Sequence, residues 1–307
     1  MKKERITVIY HRTDYDGLFS ALVINKYASD FNTMVITNLG YNYGDELPII
    51  ENLRKNSDRL ILVDISFPPE YFINLWQVFG DDLIWIDHHR TAIQDSIDFG
   101  YHEIKGVRES GEKGACELTW EYMYSTPTPQ IIKYISAHDT WDKNRFDWDK
   151  DVLPLQFGLR ALYGMSLDKL RNNMKTVFSD LSLCSVISGG RQIKKYASMK
   201  WRAQVQNAGF EITVAGKLKG IAVLTPDFTS AMFESVLDKY QVFCICNIKK
   251  DSDCFSVSLY SETDGRLGDF DLGQYMKDNY CGGGHKTSAG GKLSKEQFMN
   301  LVFNKFI

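Results

Sequence analysis

The sequence predicts an α/β protein, with a parallel-sheet N-terminal domain followed by a smaller α/β domain. Three observations carry that expectation. The runs RITVIYH (5–11), RLILVDIS (59–66) and DLIWIDHH (82–89) are short, apolar and continuous, as strands covered on both faces are. Stretches with helical spacing of apolar residues separate them, which makes βαβ units and hence a parallel sheet. Beyond residue 210 the pattern changes to alternating strands with turns, EITVAGKLKGIAVL (211–224) and YQVFCICNIKKDSDCFSVSLYS (240–261).

Taken in order, the apolar stretch after MKKE is too short and too charged for a signal-peptide core, so it reads as the first strand. GLFSALVINKYAS (17–29) is the first helix. PPEYFINLWQVFG (68–80) is the second, opened by proline and closed by glycine. CELTWEYMY (116–124) and PQIIKYISAHD (129–139) also have helical spacing. VISGGRQIKKYASMKWRAQVQNAGF (186–210) is polar and helix-prone and reads as a connector, with Gly189 and Gly190 making it mobile. The last helix, SKEQFMNLVFNKF (294–306), has Ser294 and Gln297 spaced as a capping box. The expected organisation is two α/β domains, over 1–188 and 210–307, joined by a helical connector over 189–209.

Composition narrows the function. Apolar residues at 44% and charged residues at 24% are the balance of a soluble globular chain. The formal charge, 36 minus 39 or −3, supplies no field for long nucleic acid, so a nucleic-acid partner should be short or locally held. No apolar run approaches the roughly 20 residues that span a bilayer, so no membrane partner is expected. The 6 cysteines form no CxxC pair. That argues against structural zinc and for reduced thiols in the cytoplasm. Cys244 and Cys246 alternate in a strand and read as packing residues.

The three buried strands end alike. The first runs into His11, Asp14 and Asp16, the second into Asp64, and the third into Asp87, His88 and His89. One acid at a strand end is usually a turn or helix cap. Three such ends are different, because ligands of open α/β sheets bind outside the carboxyl ends of parallel strands. Clustered carboxylates need compensating positive charge. Asp and His without Cys suit a hard or borderline divalent ion, Mn²⁺ or Mg²⁺, with Fe²⁺ or Co²⁺ as alternatives. These candidates are too many for one ion. A pair of metals roughly 3.5–4 Å apart, sharing a carboxylate, would use them. The glycine run in CGGGHKTSAGG (281–291) is by itself a flexible turn, and Trp141, Phe146 and Trp148 read as packing aromatics.

HRTDYDG, VDIS and IDHH, in this order, resemble the first three motifs of the DHH phosphoesterase superfamily. AHDTWD offers Asp139 as the fourth, and CGGGHKTSAGG resembles the GGGH loop of the DHH-associated substrate-binding domain. The resemblance spans nearly the whole chain and is nearest to the nano-RNase, or oligoribonuclease, type. It implies two domains with a cleft between them. It also implies that His11 and Asp14 bind one metal, Asp16, His88 and Asp139 the other, and Asp64 both. Asp87 would orient a histidine and His89 would face the substrate phosphate. Asp64, Asp87, His88 and His89 are thus the candidate catalytic residues. Gly282, Gly283 and Gly284 would bring backbone N–H groups to a phosphate or terminal nucleotide, with His285 adding a side-chain contact.

Two departures stand out. Only Arg12 and Thr13 separate His11 from Asp14, where many relatives have three residues. SLYS (258–261) puts Tyr260 where relatives often carry a substrate-binding arginine, so either Arg266 takes over the anion contact or the Tyr260 ring stacks on a base. The implied activity is hydrolysis of short oligonucleotides, pApA or pAp by two-metal hydroxide attack, with Mn²⁺ the first expectation and Mg²⁺ or Co²⁺ alternatives. A homodimer is compatible with it. Competing readings are an inorganic polyphosphatase or pyrophosphatase, a cyclic-nucleotide phosphodiesterase, and a nucleotide-binding regulatory module without catalysis. An HD-domain phosphohydrolase would use His138 and Asp139, but that fold is all-helical and the three strands oppose it.

Overall fold

The computed structural model describes residues 3–227, 229–248, 254–262 and 264–303. The turn expected over 249–253 and the end of the last expected helix lie outside the described residues. The chain divides into two compact units, Met1–Lys194 and Lys195–Ile307.

The first unit opens with β1 (Glu4–His11), α1 (Tyr15–Phe31), β2 (Met34–Tyr41), α2 (Ile50–Asn56), β3 (Arg59–Val63), α3 (Pro69–Phe79) and β4 (Leu83–Ile86). All four strands are parallel, in the order β2-β1-β3-β4. Successive side chains of a strand point to opposite faces, so the sheet builds two cores. Ile6, Val8, Ile61, Val63, Ile84 and Ile86 pack with α1 on one face. Ile9, Leu60, Leu62, Leu83 and Trp85 pack with Phe72, Leu75 and Phe79 of α3 on the other. The expected three strands are therefore joined by a fourth, β2. Its residues alternate between half-buried and exposed because it lies at the sheet's edge, so it lacks the continuous apolar run.

The strand order reverses direction between β1 and β3, which opens a crevice at their carboxyl ends. Register completes the placement. Tyr10 lies opposite Val63 and Val63 opposite Ile86, so His11, Asp64 and Asp87 leave the sheet side by side.

Helices α4 (Arg90–Asp98), α5 (Ala115–Met123), α6 (Gln130–Asp139), α7 (Leu153–Tyr163), α8 (Leu167–Asn172), α9 (Met174–Val177) and α10 (Asp180–Ala208) follow. The region expected to be a mobile connector belongs to α10, a continuous helix of 29 residues. One of its two glycines, Gly190, has a packing role instead. A Cβ at Gly190 would collide with the carbonyl of Pro154, and one at Gly158 with that of Val186, so α7 and α10 touch backbone to backbone.

The second unit contains β5 (Phe210–Val214), β6 (Leu218–Leu224), β7 (Val242–Ile248), β8 (Cys254–Tyr260), α11 (Asp264–Leu267), α12 (Leu272–Tyr280), β9 (Gly283–His285), β10 (Ser288–Ser294) and α13 (Lys295–Phe303). The mixed sheet runs β5-β6-β7-β8-β10-β9, with β6 and β7 parallel and the other pairs antiparallel. Cys244 and Cys246 are buried on one face of β7. The capping box is present: Gln297 N–H donates to Ser294 Oγ at 3.1 Å, and Ser294 N–H to Gln297 Oε1 at 2.8 Å. Among the described residues no helix is long and apolar enough to cross a membrane.

Gly189 and Gly190 provide a matched test. A Cβ at Gly189 meets nothing within 4 Å, so Gly189→Ala should stabilise the chain by about 0.5–1 kcal/mol through helix propensity. Gly190→Ala should destabilise it by about 1–3 kcal/mol. Denaturant melts of the two variants against the parent measure both signs.

Candidate metal centre

Each strand end delivers its side chain by a different local device. Asp14 is the N-cap of α1, its Oδ1 accepting the Gly17 N–H at 2.9 Å. The turn thus uses one oxygen and leaves Oδ2 at 3.3 Å from His11 Nε2. His11 Nε2 also lies 2.7 Å from Thr13 Oγ1, within the shortened spacer. Asp64, directly after β3, is buried and has φ +56, a left-handed conformation costly for a side-chain-bearing residue, though less so for Asp. Its N–H donates to Ile86 O at 3.0 Å, tying it to the end of β4.

Asp16 sits in the first turn of α1, buried, against the N-terminus of α5. Its two oxygens accept the N–H groups of Ala115 at 2.6 Å and Cys116 at 2.9 Å, donors that a helix start leaves free. Gly114 makes this possible, since a Cβ there would lie 2.8 Å from Asp16 Oδ1. Sequence reasoning passed over Gly114. The only signal was a glycine before an unusually uncapped helix, EKGACE.

Asp139, the last residue of α6, closes the cluster. His88 Nε2 lies 3.1 Å from Asp139 Oδ2, 3.4 Å from Asp64 Oδ1 and 3.6 Å from Asp16 Oδ2. None of these approaches aligns as a hydrogen bond, and both His88 Nε2 and Asp64 Oδ2 are buried atoms without a hydrogen-bonding partner. The charges strain against one another. Burial, then the charge of Asp139, pushes Asp16 up to about 7. Burial and Asp16 hold Asp64 well above the usual carboxylate range, and burial and Asp139 raise Asp14. Burial alone would lower His88, but Asp139, Asp64 and Asp16 lift it to about 11.

Asp87 works differently. It is fully buried, and its Oδ1 accepts the N–H groups of His88 at 2.8 Å and His89 at 3.3 Å and the His89 ring Nδ1–H at 2.7 Å. That contact sets the His89 tautomer. Burial would lower the His89 pKa, but Asp87 raises it.

The structure brings His11, Asp14, Asp16, Asp64, Asp87, His88, His89 and Asp139 to one sheet edge. A divalent cation fits this donor set. Ligand atoms of Asp16, His88 and Asp139 all lie within 4.8 Å of one another, and so do those of Asp64, His88 and His89. The orphaned Asp64 Oδ2 and His88 Nε2 are the lone pairs such an ion would use.

The remaining candidates belong to the second unit. Gly283 and Gly284 form edge strand β9, and Gly282 directly precedes it. Cβ atoms at Gly282 and Gly284 would collide with the carbonyls of Gly290 and Ser288, so packing on β10 demands glycine at both. At Gly283 nothing lies within 4 Å. The His285 side chain lies outside the described residues. Arg266 Nη1 donates to the carbonyls of Leu237 and Tyr240, and its Nη2 lies 3.0 Å from Glu262, so its guanidinium is engaged within this unit. Tyr260 is partly buried at the end of β8.

The aromatics after α6 divide. Phe146 packs edge-on against Tyr134, as expected. Trp141 departs from the packing expectation: it is 56% exposed and has φ +57, because the chain turns sharply as α6 ends.

No protein-family model matches the chain, and no curated protein matches it by sequence. Solved structures match its fold. The DHH domain of a protein assigned to a family of ribosomal proteins gives a TM-score of 0.61 at 13% identity, over 97% of this chain and 84% of that one. The pGpG-specific phosphodiesterase PggH of Vibrio cholerae gives 0.55 at 13% identity, over 96% and 94%. RecJ of Thermus thermophilus, in complex with Mn²⁺, gives 0.50 at 14%, over 97% of this chain and 51% of that one. The chain therefore has the two-domain α/β fold of the DHH-type proteins.

The electrostatics predict a pH-dependent gain from removing one charge. The folded pKa of Asp64 is raised, so its carboxyl costs the folded state nothing below about pH 4, where both states are protonated. The cost grows as pH rises above that. Asp64→Asn should raise the melting temperature of the chelator-treated protein by several degrees at pH 8 and leave it unchanged near pH 4. Gly114→Ala should weaken divalent-cation binding at least tenfold, measured calorimetrically, by displacing the Asp16 carboxylate.

Proposed function

We propose that the chain is a metal-dependent phosphodiesterase of the DHH phosphoesterase superfamily acting on short oligonucleotides, of the oligoribonuclease type. The observation that carries this reading is the approach of three carboxylates to within 3.6 Å of His88 Nε2 at the strand-order reversal, with a buried oxygen of Asp64 left unpaired. So much negative charge on one imidazole nitrogen is a poor structural device and a suitable cation cradle. The fold supports the reading, since one protein sharing it is named for pGpG, a dinucleotide. The net charge of −3 favours a short substrate over a long one.

In this reading His11 and Asp14 would hold one cation, Asp16, His88 and Asp139 would hold a second, and Asp64 would serve both. Two such cations, Mn²⁺ by preference, would neutralise charge on the phosphoryl group and acidify water at neutral pH. The chain's own groups do the rest. The backbone N–H groups of Ala115 and Cys116 fix the Asp16 carboxylate, so it needs no rearrangement to act as a ligand. Asp87 holds His89 through Nδ1 and favours its charged form, leaving Nε2–H to donate to a phosphate or leaving-group oxygen. Gly283, the one glycine of its run with open space at Cβ, is the place for a phosphate or terminal nucleotide to approach the backbone.

The test is a substrate panel with Mn²⁺: an RNA dinucleotide, a short oligomer, a long RNA, pApA, pAp, cyclic AMP and polyphosphate, with Asp64→Ala alongside. Cleavage of the dinucleotide and short oligomer is expected, falling by at least about a thousandfold in the variant and with excess chelator. Turnover of polyphosphate or cyclic AMP alone would replace the substrate assignment. No turnover of any of them would overturn the hydrolase reading.

A further inference from the structure

We propose that Trp141, supported by Trp148 and His138 and flanked by Lys143, is a stacking platform for a nucleobase of the substrate. This deepens the phosphodiesterase reading and rests on it. Trp141 follows Asp139 by two residues. Two trans peptide steps keep its Cα within about 7.6 Å of that of Asp139, close enough for one nucleotide to reach both.

Three observations carry the inference. The first is conformational. Trp141 has φ +57, where a bulky side chain is a genuine outlier, and yet 56% of its surface is exposed. A core residue held in so costly a conformation would return the cost through burial. This one does not, and such outliers gather at ligand sites.

The second is the built support. Trp148 meets the Trp141 ring edge-on at 5.0 Å, and His138 lies flat on Trp148 at 5.5 Å with 4° between the planes. The chain around them is anchored, since Asp142 N–H donates to Ala137 O at 2.9 Å and Arg145 forks onto the buried Glu117 at 2.7 and 2.8 Å. An aromatic surface held this way stacks a ligand with little ordering cost.

The third is charge. Lys143 Nζ lies 5.0 Å from the Trp141 ring and 5.7 Å from that of Trp148, and it has no carboxylate partner among the described residues. Its ammonium repels a cationic guest and attracts a phosphate. An aromatic face beside such a cation suits a nucleotide, whose base has a π-face whatever its identity. Inorganic polyphosphate would make no use of it.

The test compares binding of 5′-AMP and ribose 5-phosphate to the full chain with Mn²⁺, by calorimetry and by quenching of tryptophan fluorescence. The parent should bind 5′-AMP about tenfold more tightly than ribose 5-phosphate. That gap should close to within about twofold in Trp141→Ala and largely persist in Trp141→Phe. A gap that survives Trp141→Ala, or is absent from the parent, overturns the platform. Should Trp141→Ala fail to fold, the parent's own quenching decides: quenching by 5′-AMP but not by ribose 5-phosphate is expected, and equal behaviour overturns it. Dinucleotide turnover by the parent is scored separately. Turnover without a base-dependent gap removes the platform alone, and a gap without turnover removes the hydrolase reading alone.

Discussion

The repulsion among carboxylates around His88 is the constraint on which the rest of this site depends. Asp16, Asp64 and Asp139 converge on one imidazole nitrogen, two of them buried and both with pKa values raised. His88 attracts each of them, but the carboxylates repel one another, and like charges out of water oppose the compact state. The arrangement persists because the surrounding elements leave the side chains no alternative: strand register holds Asp64, the start of α5 holds Asp16, and the end of α6 holds Asp139. The large apolar cores on both faces of the sheet offset the cost.

Each device that holds the site is a compromise between local and global demands. Asp64 accepts a left-handed backbone at the point where the sheet stops. Asp14 serves both the helix it caps and the histidine it faces. Gly114 gives up helix-capping chemistry so that a carboxylate from another helix can take the free N–H groups. Departures from local preference thus gather around this acidic cluster, the kind of place where a bound ligand repays them.

Much of the fold was legible because its signals are local. The continuous apolar strands and the proline-opened helix announce themselves over a few residues, and the motifs at the strand ends stand out against that background. β2 was not legible, since an edge strand has no run of buried residues to display. Gly190 is hard to read for a related reason. A glycine in a helix looks the same in sequence whether it frees the backbone or admits a neighbour, and only the position of Pro154 separates the two. Trp141 reads in sequence as core or domain-interface packing because tryptophan usually is, and its exposure follows from the turn after α6.

By itself the sequence determined the fold class, the end of each strand at which acids and histidines would gather, and the residue types that suit a hard cation. Those properties follow from periodicity and side-chain chemistry, which act over short stretches of chain. Only the tertiary structure decided that Asp16 would lie on the N-terminus of α5, that Asp87 would hold His89, that Arg266 would be engaged by its own unit, and that Trp141 would stand open. Each of these depends on which distant backbone groups a side chain meets. That is set by packing between elements far apart in sequence, which no local pattern records.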